Sequence, residues 1–244
     1  MKPKMSVCLL SFVGALAILS SSTNVFADDL KGDTWIYTQT SESQKDMTAD
    51  KALQMLKDGN ARFVNGTGKN RDLVAQAKLT GTKGQYPFAV ILSCMDSRGS
   101  PELLFDQGIG DVFSVRLAGP VLDADQLGGM EFATKVIGSK LIVVMGHTRC
   151  GAVAGACAGV QMGNLTQLLD KINPAVAAVK KAHQGKLDCN DTNMVNEIAK
   201  QNVKDLIAEI KAKSKVINDL VNSGNVKIVG AMQDVETGKV TFIE

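Results

Sequence analysis

The chain has 244 residues, 45% of them hydrophobic and 21% charged, with a formal net charge of +2. That composition is globular, and the length is enough for one sizeable core. The nearly balanced charge offers no basic patch that would point to nucleic acid or to an anionic membrane surface.

The chain begins with Lys2 and Lys4, an apolar stretch from Val7 to Leu19, and Val25-x-Ala27 ahead of Asp28. That is the anatomy of a secretory signal peptide over residues 1–27. The apolar run falls short of the roughly 20 residues that a bilayer span needs. Cys8 lies inside the run, too early for a lipoprotein cysteine. Losing residues 1–27 removes two lysines and no acid, so the remainder is formally neutral. The expectation is a soluble, periplasmic protein with no membrane attachment once the signal is removed. It would keep Cys94, Cys150, Cys157 and Cys189. The residues leave two readings open for Cys157 and Cys189: a disulfide in an oxidising compartment, or a core position for Cys157.

Residues 28–46 are polar and read as an N-terminal arm, with Trp35, Ile36 and Tyr37 docking on a surface. Thr48 can cap a helix that places Leu53, Leu56, Phe63 and Val64 on one stripe and ends near Gly66. A Gly/Lys-rich loop then leads to a strand at 87–93, with further apolar runs at 112–118, 140–146 and 226–231. The run at 140–146 is continuous enough to be buried on both faces, as in a parallel sheet. After the last run, "DVETGKVTFI" predicts a hairpin-like edge turning at Thr237-Gly238. Helical patterns fall at 126–138, after Gly151, after Pro174, and from Asp191 until a break before Gly224. Strands alternating with helices predict an α/β fold: a mostly parallel sheet flanked by helices, an antiparallel edge near the C-terminus and a helical N-terminal arm. One catalytic domain over 47–244 accounts for the pattern.

Two strand ends carry chemistry. The first strand runs into "LSCMDSRGSPE", with Cys94, Asp96 and Arg98 at alternate positions. The third runs into "VVMGHTRCGAV", with His147 and Cys150 three apart where strand gives way to helix. Cys, His and Cys with a vacant fourth position are what a catalytic zinc requires, whereas structural zinc closes its tetrahedron with a fourth protein ligand. Strand C-termini are also where open α/β sheets place their sites. Each residue has a plainer reading, as a core cysteine, a structural histidine or a salt bridge. Cys94 as a nucleophile with His147 as its base is a further reading, but it leaves Cys150 unused.

"CMDSR", "VFSVRLAG" and "GHTRCGAV", together with "VKIVGAMQDVETGKVTFI", resemble the β-class carbonic anhydrases, and the likeness extends over nearly all of the chain after residue 27. The resemblance implies one zinc per chain, held by Cys94, His147 and Cys150, beside a catalytic pair, Asp96 and Arg98. It implies reversible hydration of carbon dioxide to bicarbonate and a proton, in a homodimer or higher homo-oligomer. Gln85, nine residues before Cys94, matches a substrate-contacting glutamine, and Gly151 a position whose backbone lies against the substrate. Phe113 and Phe132 match pocket-lining aromatics. Zinc lowers the pKa of water from 15.7 towards about 7. Two thiolates already neutralise the ion's charge, so the active base form is expected only at mildly alkaline pH.

The chain also departs from the family pattern. Both asparagines of the family's "VRNAGN" are replaced, by Leu117 and Pro120, and Gly99 stands where Val or Leu is commoner. One branch of the family closes the metal with the counterpart of Asp96, in a state linked to a bicarbonate held by Trp, Arg and Tyr. Ile91 stands in place of that Trp, although Arg116 resembles the Arg. An open site is therefore expected.

Overall fold

The computed structural model describes residues 34–243. The signal-peptide reading of 1–27 and the first residues of the arm lie outside the described residues. In chain order the elements begin with α1 (Ser41–Lys45), α2 (Ala49–Val64), α3 (Leu73–Lys83), β1 (Ala89–Cys94), α4 (Pro101–Leu104) and β2 (Val112–Leu117). Next come α5 (Ala124–Glu131), which runs on as a π-helical turn (Phe132–Ile137), then β3 (Leu141–His147), α6 (Gly151–Cys157), α7 (Gly163–Asp170) and α8 (Asn173–Ala182). Last come α9 (Thr192–Lys213), α10 (Lys215–Asn222), β4 (Lys227–Gln233) and β5 (Val240–Ile243).

The five strands pair in the order β2-β1-β3-β4-β5, with the first four parallel and β5 antiparallel to β4. This bears out the predicted sheet and its C-terminal edge. From β1 the chain goes to one side for β2 and then crosses to the other side for β3. The order therefore reverses at the β1/β3 boundary, the place where doubly wound sheets open a crevice beyond their strand ends.

Every residue of β1 and β3 is buried, so both strands read as continuous apolar runs. Alternate side chains face opposite layers. Ile91, Val143 and Met145 pack towards α2 with Leu53, Leu56 and Phe105. Val90, Leu92, Ile142 and Val144 pack towards α9 and α10 with Val203, Leu206 and Ile217. β4 and α9 both press close at Gly146, where a Cβ would lie 2.8 Å from Met232 Sδ and 3.0 Å from Val203 Cγ2. A side chain there would push α9 away from the strand end that carries His147.

Three local predictions need correction. α2 starts as expected, with the Thr48 side chain accepting from the Lys51 N–H, but Phe63 and Val64 are about two-fifths exposed. The buried stripe is Ala52, Leu53, Leu56, Gly59 and Asn60. The Gly/Lys-rich loop contains α3, capped by the Asp72 side chain on the Ala75 N–H. The long C-terminal helix breaks at Ser214, whose extended backbone (φ −111°, ψ 103°) lets its hydroxyl accept from the Ile217 N–H and cap α10. The arm does dock as expected: Trp35 bridges to Arg71, and the Lys69 ammonium lies 3.4 Å from the Trp35 ring centre. Among the described residues, no helix is long and apolar enough to cross a membrane.

Cys157 and Cys189 form a disulfide across 32 residues of chain, tying the end of α6 to the loop before α9. A loop of that length is worth roughly 3–4 kcal/mol in the chain-entropy account. The double variant Cys157→Ser/Cys189→Ser should lose about that much stability in urea unfolding. Neither sulfur belongs to the Cys94, His147 and Cys150 cluster, so uptake of added zinc should be unchanged.

Candidate metal centre

Cys94 is the last residue of β1 and His147 the last of β3, and the two strands are hydrogen-bonded neighbours. Parallel pairing therefore delivers both side chains to the same end of the sheet. Cys150 caps α6 three residues later. The intervening Arg149 has φ 55°, the left-handed conformation that a branched or bulky residue rarely adopts. That conformation folds the H-x-x-C turn back on itself, and Asn196 Oδ1 on α9 holds it by accepting the Arg149 N–H at 2.8 Å. As a result, the donor atoms of Cys94, His147 and Cys150 all lie within 4.8 Å of one another, and all three residues are buried.

The donor chemistry of the trio suits a cation. His147 Nδ1 lies 2.9 Å from the Thr148 carbonyl, which can only accept, so the ring's other nitrogen presents its lone pair. That Nε2 is buried and has no hydrogen-bond partner. The Cys94 thiol is drawn well down, mainly by a hydrogen bond from Cys150, with help from the Gly119 N–H and against the effect of burial. Donating that hydrogen bond to Cys94, together with burial, pushes the Cys150 thiol up. The Gly119 N–H donates to Cys94 Sγ at 3.2 Å. Two cysteine sulfurs and one imidazole form a nitrogen and sulfur donor set that fits zinc.

Asp96 and Arg98 stand beside the trio. The Asp96 carboxylate accepts from the Arg98 backbone N–H (2.9 Å), Nε (2.9 Å) and Nη2 (2.7 Å). The guanidinium thereby holds the Asp96 carboxyl well below the usual carboxylate range, although burial works the other way. Oδ2 lies 3.9 Å from His147 Nε2, so the ionised edge borders the unpartnered ring nitrogen. Both carboxylate oxygens are engaged by Arg98, and Asp96 does not join the ligand cluster.

Arg116 has an unanticipated role. Its Nε donates to the Cys94 carbonyl at 3.1 Å and its Nη2 to the Asp96 carbonyl at 2.7 Å. The Met95 N–H adds a bond to the Leu117 carbonyl at 2.7 Å, so the end of β2 grips the Cys94–Asp96 segment. Gly151, which opens α6, is exposed, and a Cβ built on it would meet nothing within 4 Å. The other three residues assigned to substrate are not brought to this point within one chain. Gln85 is exposed ahead of β1, at the end opposite Cys94. Phe113 pairs with Val90 early in β2 and packs against the α9-side core, and Phe132 is half exposed.

The likeness to known proteins agrees with this geometry. A family model described as carbonic anhydrase matches residues 89–240, which takes in both ligand segments. Carbonic anhydrase 2 of Mycobacterium tuberculosis is 34% identical over 196 residues, covering 78% of this chain and 91% of that protein. The β-carbonic anhydrase CafA of Aspergillus fumigatus has a structure similar at a TM-score of 0.62 and 25% identity, over 80% of this chain and 90% of that one. A tetrameric β-carbonic anhydrase of Sordaria macrospora shares the fold at a TM-score of 0.62 and 24% identity, over 68% of this chain and 84% of its own. With its Cys-His-Cys cluster at the reversal point of a parallel sheet, this chain belongs to the β-class carbonic anhydrase family.

Proposed function

We propose that the chain hydrates carbon dioxide reversibly, with one zinc held by Cys94, His147 and Cys150 and with Asp96 and Arg98 as its catalytic pair. The observation that carries this reading is the convergence of two thiols and an imidazole on one point beside a carboxylate held ionised. Bound there, zinc supplies the Lewis acidity that brings the pKa of water towards about 7.

The chain's own residues do the rest. Ionised Asp96 can only accept a hydrogen bond, so it orients the attacking oxygen, and the Arg98 fork fixes the carboxylate. The open space before Gly151 gives carbon dioxide an approach next to Cys150. His183 is paired with Glu197 on the surface at 2.9 Å, so the released proton leaves through water and buffer.

Two further parts of the reading concern setting. We assign the chain to a homodimer or higher assembly, in which Gln85, Phe113 and Phe132 line the pocket of a neighbouring copy. β2 is an open edge strand, and Met95, Leu103 and Val136, on segments flanking it in the chain, are 62%, 68% and 68% exposed. We also assign it to the periplasm, a reading supported by the anatomy of residues 1–27 and by the Cys157–Cys189 disulfide, which an oxidising compartment sustains.

Purified residues 28–244 should contain about one zinc per chain and hydrate carbon dioxide in stopped flow, most strongly at mildly alkaline pH. Zinc without turnover from acid to alkaline pH would sink the enzyme reading. Absence of zinc, with a readily alkylated Cys94, would favour a nucleophile instead.

A further inference from the structure

Gln233 is the last residue of β4, only 2% exposed, and stands in register with His147 on β3. A buried primary amide is costly unless its groups are paired. Its main-chain carbonyl accepts the Thr148 N–H at 2.9 Å, which secures the residue after His147. Its side-chain Nε2 donates to the Arg98 carbonyl at 3.1 Å, across 135 residues of sequence. One residue thus grips both the histidine end of the ligand set and the backbone of the catalytic pair.

That grip matters because Arg98 is otherwise loosely held. Its side chain is 52% exposed, and it binds Asp96, its neighbour two residues away. Arg116 fixes the segment from the β2 side at the carbonyls of Cys94 and Asp96. From the β4 side, the Gln233 amide is what reaches Arg98. Gly99 makes room for it: a Cβ there would lie 2.7 Å from Gln233 Oε1, and no other atom comes closer than 3.6 Å. The obstructed atom is the far end of a flexible side chain, so a methyl at 99 would displace the amide rather than unfold the chain.

We propose that Gln233 is a positioning residue for the Asp96–Arg98 pair, and that Gly99 is small so that the Gln233 amide can reach the Arg98 carbonyl. The inference rests on the role assigned to that pair under the proposed function. It accounts for the glycine at 99 through a contact made by a residue at the other end of the chain.

A double-mutant cycle on the zinc-loaded protein tests it, using Gly99→Ala, Gln233→Ala and the pair together. Displacement of a catalytic group by a fraction of an ångström should lower kcat about five- to tenfold in each single variant, with KM within about twofold and zinc unchanged. The double variant should be no slower than Gln233→Ala, because the methyl has nothing left to displace. Exchange of the Arg98 Nε–H, followed by nitrogen-15 NMR, should quicken in all three. Multiplicative losses in kcat, or unchanged exchange in Gln233→Ala, would overturn the proposal. If the parent does not hydrate carbon dioxide, the function fails, and the exchange measurement alone decides whether Gln233 positions Arg98.

Discussion

Replacing Cys150 with serine is expected to leave a folded chain that retains little zinc and hydrates carbon dioxide more slowly by about a thousandfold or more. Whole zinc sites of this kind are worth about 10–16 kcal/mol, so one ligand of three carries roughly 3–5 kcal/mol, on the order of a thousandfold in affinity. The substitution is a clean one for this position. Cys150 occupies the N-cap of α6 with an extended backbone (φ −71°, ψ 116°), and serine is among the residues preferred there. The fold therefore keeps its helix while the metal loses a thiolate. Zinc per chain by elemental analysis, stopped-flow hydration and the thermal midpoint of the metal-free chain check the three parts. Full hydration without zinc would point to Cys94 acting alone and would end the metal reading.

The strands and the ligand set were legible in the sequence for the same physical reason. β1 and β3 are buried on both faces, so they appear as unbroken apolar runs, and the polar residues that interrupt them at their ends stand out. Cys94, Asp96, Arg98, His147 and Cys150 all fall within a few residues of those ends. α3 was not legible, because its single buried residue is the polar Gln76 while Val74 is 81% exposed. No apolar stripe marks it. The break at Ser214 carries no glycine or proline, and its signal is one hydroxyl capping the next helix.

The parts that hold the site rigid were also hidden. Asn196 reaches Arg149 across 47 residues, Arg116 reaches Cys94 across 22, and Gln233 reaches Arg98 across 135. Each contact exists only once the sheet order and register are known. Arg149 is hidden in another way, since nothing in its residue type announces a left-handed backbone. The resemblance supplied Gln85, Phe113 and Phe132 as pocket residues, but the isolated chain does not gather them at the metal cluster. Gln85 precedes β1 and Cys94 ends it, so the two lie at opposite ends of that strand.

Asp96→Asn is expected to keep its zinc while lowering hydration about a hundredfold, at the lower end of what a positioned acid–base group contributes. Asparagine keeps the shape of the carboxylate but replaces one accepting oxygen with a donor. At the edge facing His147 Nε2, 3.9 Å away in the parent, a donor cannot orient an attacking oxygen that must itself give the hydrogen bond. Retention of zinc follows from the ligand cluster, which does not include Asp96. The Arg98 hydrogen bonds that depress the Asp96 pKa also set the pH window. A carboxylate with a lowered folded-state pKa stays ionised through the ordinary carboxylate range, and its contribution is lost only as pH falls below that range. The parent should therefore show no loss of hydration from Asp96 protonation between about pH 5 and 8. Arg98→Ala should cost less than Asp96→Asn, about tenfold, because the arginine acts through the carboxylate and leaves an acceptor in place. If Asp96→Asn lost its zinc in step with its activity, Asp96 would be a ligand rather than an orienting base, and the site would be closed rather than open.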